Sequence, residues 1–334
     1  MKRTALAAGI MAFLFVSPQS YAQERTTIIK EILGPKYTAR DVAPADKRFE
    51  IGVGSWLTTG RLDSFVYSSS EWLSGDDILR ANRGDTISQL QYKLPSKMTI
   101  IDIGAHLLSF LYVDASIGLG QVRGQQKDYD WYPQERYEAR SLYDSSADGN
   151  TMTWDANAEL RCVDWNNGKS FVDLSLGYLY YRDSVVHLHD TTTVIDQDYQ
   201  PSNTPLAGHD SQDKYTFDGF RIGSRCRWEV FDRIAFKGRV GVIPWMNAIN
   251  KGYWNLRQTQ FLGTSAGTAV DLMGGFEFRI TKNFFIEAGY KYMYFKSYKG
   301  MQRTRGIDSE EWSEIGFSAQ AQREGFYLKG NLKM

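Results

Sequence analysis

The chain has 334 residues, equal numbers of acidic and basic side chains, and 14% aromatic residues, with Tyr 20, Phe 18 and Trp 9 against Pro 8. Zero net charge gives no bulk case for nucleic acid, and two cysteines, Cys162 and Cys226, are too few for a disulfide scaffold. An aromatic-rich, proline-poor chain of this length favours many β-strands, in one large domain or two ordinary ones. At the N-terminus, Lys2 and Arg3 precede the apolar run from Ala5 to Val16, and Ser20-Tyr21-Ala22 offers a small-x-small cleavage site. Residues 1–22 therefore read as a secretory signal peptide. No later window approaches the roughly 20 apolar residues of a spanning helix, which leaves a soluble periplasmic protein or an outer-membrane barrel.

Residues 23–46 are polar and mixed, with Pro35 and Pro44 and no sustained period, and read as a short periplasmic lead-in. From residue 47 to 334, period-2 alternation takes over. Val270, Leu272, Gly274, Phe276, Phe278 and Ile280 share one face, while Asp271, Gly275, Glu277 and Arg279 share the other. A second strand sets Val172, Leu174, Leu176, Tyr178 and Tyr180 against Asp173, Ser175 and Gly177, and a third sets Ile286, Ala288 and Tyr290 against Glu287 and Lys291. A sandwich core would show the same alternation, so connection lengths decide. Strands are expected near 47–60, 84–107, 112–127, 151–164, 170–190, 213–229, 233–247, 267–280, 284–298 and 313–334. Tight turns then alternate with long polar connections. That asymmetry, with an even count, predicts an all-β, ten-stranded antiparallel transmembrane barrel of the bacterial outer membrane. Tyr178, Tyr180, Trp228 and Tyr294 are expected in interfacial girdles. Ten strands are too few for an open pore, so inward charges should pair and plug the lumen, and function should move to the outer loops.

Lys127-Asp128-Tyr129-Asp130-Trp131 stands at the outer mouth of the third expected strand. In an extended segment the i, i+2 spacing puts both carboxylates on one face. Such a pair can hold and activate a water, because neighbouring like charges repel unless a proton or water is shared. A solvated acidic strand end is the alternative. His187-Leu188-His189-Asp190 offers two histidines on one face at another strand top, either as surface groups or as a base; no metal site is assigned. Cys162 and Cys226 fall on strands with one strand between them, about 10 Å apart, and are expected to be free thiols. His106 reads as structural.

Several local stretches resemble the omptins, a family of ten-stranded outer-membrane endopeptidases. Ser88-Gln89-Leu90-Gln91-Tyr92-Lys93, then Gly118 and Gly120, Asp128-Tyr129-Asp130-Trp131, Gly177-Tyr178-Leu179-Tyr180-Tyr181-Arg182 and Arg227-Trp228-Glu229 follow the family's order. The resemblance implies a groove in which an aspartate pair faces an Asp-x-His pair on the fourth outer loop. Asp128 and Asp130 match the first pair. The fourth-loop stretch has Asn250 and Gly252 instead; no histidine follows His209, and no aspartate lies between Asp232 and Asp271. The expectation is a divergent member, impaired or repurposed as a protease, whose loops bind a peptide, protein or host-surface ligand. The alternative is an active endopeptidase cutting near basic residues, with Asp128 and Asp130 polarising water and His187 or His189 as substitute base. An acidic groove of Asp128, Asp130, Asp144, Asp148, Asp190 and Asp196 would suit basic substrates. The resemblance also implies lipopolysaccharide on the outer wall as an activator, at Tyr178, Arg182 and Lys214, with Tyr180 where the family has an acid. No other cofactor, no nucleic acid and a monomer in outer-membrane lipid are expected.

Overall fold

The computed structural model describes residues 49–67, 86–131 without 109, 139–194 without 167, 211–306 without 256–257, 309 and 311–334. The assignments to residues 1–46 lie outside them. Eleven strands are described: β1 (Phe49–Tyr67), β2 (Thr86–Lys93), β3 (Ser96–Leu108), β4 (Leu111–Trp131), β5 (Ala139–Trp165), β6 (Ser170–Val194), β7 (Gln212–Phe231), β8 (Ile234–Trp254), β9 (Thr259–Arg279), β10 (Phe284–Gly306) and β11 (Ser313–Lys333).

These eleven segments fill ten positions of one closed antiparallel sheet. β2 pairs with the outer half of β1 and with β4, β3 pairs with the inner half of β1 and with β4, and β11 pairs with β1. The single strand expected over 84–107 is thus interrupted at Leu94-Pro95. Proline has no N–H to give the ladder, yet Leu94 N still donates to Gly60 O at 2.7 Å, so the wall stays continuous across the break. Closure runs to the last residue: Phe49 N donates to Met334 O at 3.0 Å, and Met334 N to Phe49 O at 2.8 Å.

Alternation decides which face is wet, and in this barrel it is inverted relative to a soluble core. Leu57, Ile101, Leu119, Leu176, Phe220, Val240, Leu272, Phe276, Phe326 and Leu328 point outward and are exposed. Their inward neighbours Asp173, Asp271, Glu277 and Glu287 are buried. An apolar belt outside a closed, hydrogen-bonded sheet is the solution a bilayer imposes.

The expected strands end too early on the outer side. β5 begins at Ala139 rather than 151, β8 runs on to Trp254 rather than 247, and β10 to Gly306 rather than 298. Their outer thirds mix polar and apolar residues on both faces, because above the membrane neither face meets lipid; backbone pairing persists there without a clean alternation. Cys162 on β5 and Cys226 on β7 are free and separated by β6, as the spacing predicts.

Candidate functional site

The lumen is filled in three layers. At the periplasmic end, where the tight turns lie, Arg221 bridges Asp155 and Asp271, each at 2.8 Å. Arg239 reaches Asp114 at 2.9 Å and Glu159 at 2.8 Å; Lys237 reaches Glu287 at 2.7 Å and Glu277 at 3.4 Å. Arg323 then grips Asp183 through one nitrogen at 3.0 and 3.2 Å and donates to Tyr181 Oη at 3.1 Å and Thr58 Oγ1 at 2.8 Å. Above it, Tyr181 stacks on Phe295 with centroids 5.0 Å apart, and Phe295 on Phe217 at 5.3 Å. The expected plug is present: ion pairs below, aromatics above.

The third layer holds the candidate site, above the membrane belt. Asp128 on β4 points inward and is 0% exposed, with Ser88 Oγ of β2 donating to it at 3.0 Å. His187 on β6 is 5% exposed. Its Nε2 lies 3.1 Å from Asp213 Oδ2 of β7 and 3.2 Å from Tyr92 Oη of β2, and Tyr92 donates to the same Asp213 oxygen at 2.5 Å. The Tyr92 ring meets His187 and Tyr215 edge to face, at 5.8 and 5.9 Å between centroids. Burial, reinforced by Asp213, raises the Tyr92 phenol well above its ordinary value, so it stays protonated as a donor. Burial raises Tyr215 in the same way. Three strands, β2, β6 and β7, therefore deliver a phenol, a base and an acid to one buried spot near Asp128.

The fourth-loop strand contributes no such group. Asn250 faces inward, 2% exposed, opposite Tyr215, and Gly252 lies opposite Asp213 in the register. A Cβ at Gly252 would stand 2.2 Å from the Phe261 ring and 2.6 Å from Gln212 O, so packing excludes a side chain there. The aspartate pair keeps its common face on the β4 backbone, with Asp130 opposite Ser88 and Ser141. Its side chain, like that of His189, lies outside the described residues. Asp148 is corrected: it faces outward, with a carboxylate oxygen 4.0 Å from Arg123 Nε, because on β5 the odd-numbered residues fill the lumen. The acidic-groove reading therefore loses Asp148. Sequence reasoning found His187 and missed Asp213 and Tyr92, whose nearness depends on the register of strands far apart in the chain.

Outside the barrel, Tyr178, Tyr180 and Arg182 of β6 share the outward face, as the alternation predicts. Trp154 stacks on both tyrosines at 5.5 and 5.8 Å, and Tyr178 Oη donates to Asp218 of β7. Lys214, outward on β7, lies opposite Ser184, two residues beyond Arg182, and opposite Lys251 on β8. Buried Arg182 Nε has no partner among the described residues.

A closed ten-position barrel with an outward apolar belt and a plugged polar lumen defines a bacterial outer-membrane β-barrel. No protein-family model matches the chain, and no curated protein matches it. Among solved structures, the outer membrane protease OmpT from Escherichia coli is similar at 12% identity and a TM-score of 0.73, over 88% of this chain and 100% of that one. That likeness is one of fold. The translocator domain of the autotransporter NalP from Neisseria meningitidis overlaps at 8% identity and a TM-score of 0.34, covering 99% of this chain and 97% of that one. Ail from Yersinia pestis, solved with a heparin analogue, overlaps at 9% identity and 0.24, covering 83% and 98%.

Proposed function

We propose that this protein is an omptin-like barrel that has left proteolysis and works as a surface-binding protein of the outer membrane, held by lipopolysaccharide and contacting peptide, protein or host-surface ligands through its outer loops. One observation carries the reading: the inward positions of β8 that would face the aspartates are Asn250 and a Gly252 into which no side chain fits, while Asp128 is fully buried under Ser88. Asparagine accepts no proton at neutral pH and glycine has no side chain, and loss of a general base removes ~10²–10⁴-fold in rate. For the lipid, Arg182 and Lys214 offer positive charge on the outward face, and an outward guanidinium suits phosphate. Lysine at 214 keeps the charge without a bidentate fork. The test is cleavage of peptides carrying paired basic residues by the barrel refolded with lipopolysaccharide, beside an Asp128→Ala/Asp130→Ala variant. Equal, background turnover by both supports the reading; turnover lost only in the variant sinks it.

A second reading is favoured by one specific contact, the 3.1 Å approach of His187 to Asp213 beside Asp128. In it, the chain is an active endopeptidase cutting near basic residues, with Asp128 and Asp130 polarising water and His187, oriented by Asp213, taking the proton. Its mark would be peptide turnover abolished by His187→Ala and by Asp213→Asn alike.

A further inference from the structure

The wall opposite Arg182 and Lys214 carries a second feature. At the Leu94-Pro95 interruption, an outward groove of about 1200 Å³ runs along β1, β3 and β4 and is flanked by β10 and β11. The outward residues along its line, Thr59 and Thr99, are short, while Leu57, Leu119 and Phe326 rise beside them, 57%, 50% and 71% exposed. Its register keeps these in step: Leu57 lies opposite both Lys97 and Phe326, and Thr99 opposite Leu119. The apolar part lies in the lipid-facing belt, so hydrocarbon covers it.

Cations gather at its loop-side end. Lys97 and Arg123 line the groove, and Lys93 stands opposite Gln125, two residues beyond Arg123 on the same outward face. All three are exposed, with the Arg123 side chain 85% so. Among the described residues, Arg123 has only the 4.0 Å approach of Asp148, and Lys93 and Lys97 make no ion pair. Glu324, the acid in the lining, stands across the groove on β11, where Tyr290 Oη donates to it at 2.9 Å. Charge is therefore divided: the acid on the β10–β11 flank is hydrogen-bonded, and the β2–β4 flank presents three cations against the single, 4.0 Å approach of Asp148. Because the long connections mark the outer end of the barrel, these cations stand at the outer-leaflet interface. That leaflet is built from lipopolysaccharide, whose lipid A has phosphates at the headgroup level and acyl chains directly beneath.

We propose that this groove is a second lipopolysaccharide site, with a lipid A phosphate held among Lys93, Lys97 and Arg123 and one acyl chain lying over Thr99 between Leu57, Phe326 and Leu119. Charge-assisted contacts to phosphate fix the head, and burial of the chain's methylenes against Leu57 and Phe326 adds affinity in proportion to area. The site is independent of whether the barrel is a protease.

The test is native mass spectrometry of the full-length barrel released from detergent with purified hexa-acylated lipid A. Wild type should retain two molecules. Lys93→Ala/Lys97→Ala/Arg123→Ala should retain one and bind the second at least about tenfold more weakly. Thr99→Trp, which fills the groove and leaves its charges intact, should also retain one. Heat-modifiable gel mobility checks that each variant is folded, as expected for outward, exposed positions. Arg182→Ala/Lys214→Ala reports on the other wall: two molecules there with one in the triple variant would fail only that site. Undiminished retention by the triple variant, or displacement of the second lipid A by equimolar phosphatidylglycerol, would overturn the proposal.

Discussion

The two ends of the lumen solve the same problem, burial of polar groups inside a narrow barrel, in opposite ways. Near the periplasmic end, each buried carboxylate named above meets a guanidinium or ammonium: Arg221 between Asp155 and Asp271, Arg239 on Asp114 and Glu159, Lys237 on Glu277 and Glu287. Near the loops, Asp128 is met by a serine and Asp213 by a phenol and an imidazole. The first arrangement matches carboxylate to cation by direct ion pairing. The second meets its carboxylates with neutral hydroxyl donors and an imidazole. An ion-paired plug and a hydrogen-bonded pocket thus sit in one tube, separated by the Tyr181, Phe217 and Phe295 layer.

The largest effect expected on this contrast comes from breaking the plug. Arg221→Met takes from Asp155 and Asp271 the cation they share, leaving Asp155 with Arg239 at 3.5 Å, and loss of one partner from a buried ion network costs about 3–5 kcal/mol. The midpoint of urea unfolding, followed by gel mobility, should fall more for this variant than for any single change in the upper layer. Next comes repair of the fourth-loop pair. Asn250→Asp/Gly252→His should lower stability by about 1–3 kcal/mol through the collision at Phe261 and should not create peptidase activity. A stable, active double variant would show that only two side chains separate this barrel from a protease.

Similar in size, and confined to the upper layer, is Tyr92→Phe. It removes the phenol shared by His187 and Asp213 and should cost about 1–3 kcal/mol. It should also move the His187 imidazole resonances in NMR spectra recorded at one fixed pH, which Arg221→Met should leave in place. A further difference appears at high pH. Burial raises Tyr92, Tyr215 and Tyr67 above the ordinary phenol value. Their neutral forms persist in the folded state after unfolded tyrosines ionise near pH ~10. The unfolded chain then binds fewer protons than the folded one, so stability is full below that pH and falls as pH rises beyond it. Ultraviolet titration of the folded barrel should leave a set of phenols that ionise only with unfolding, and Tyr92→Phe should shrink that set by one.

The architecture was legible because its signal is local. Alternation in Val270 to Ile280 and the contrast between tight turns and long connections fix ten positions without knowledge of any contact. The outer strand extensions were not legible, since above the belt neither face of β5 or β8 is apolar. The interruption at Leu94-Pro95 could be suspected only from proline's missing donor. The site was half legible: Asp128 and His187 stood out by type and spacing, and the emptiness of β8 by the absence of histidine and aspartate. Asp213 and Tyr92 carry no local mark. They join His187 through the pairing of β6 with β7 and the curvature that brings β2 across the lumen, which one chain's spacing does not encode.

The central claim is that Asp128 no longer helps to activate water against a peptide carbonyl. A peptidase that does so also exchanges oxygen into the terminal carboxylate of its product, by the reverse of its own reaction. The direct measurement is therefore mass-spectrometric uptake of ¹⁸O from labelled water into peptides ending in lysine or arginine, incubated with the barrel refolded in lipopolysaccharide. Uptake no greater than with the Asp128→Ala/Asp130→Ala variant is the result this account predicts. Uptake by the wild type that disappears in that variant would contradict it and assign the work to the aspartates with His187 as base.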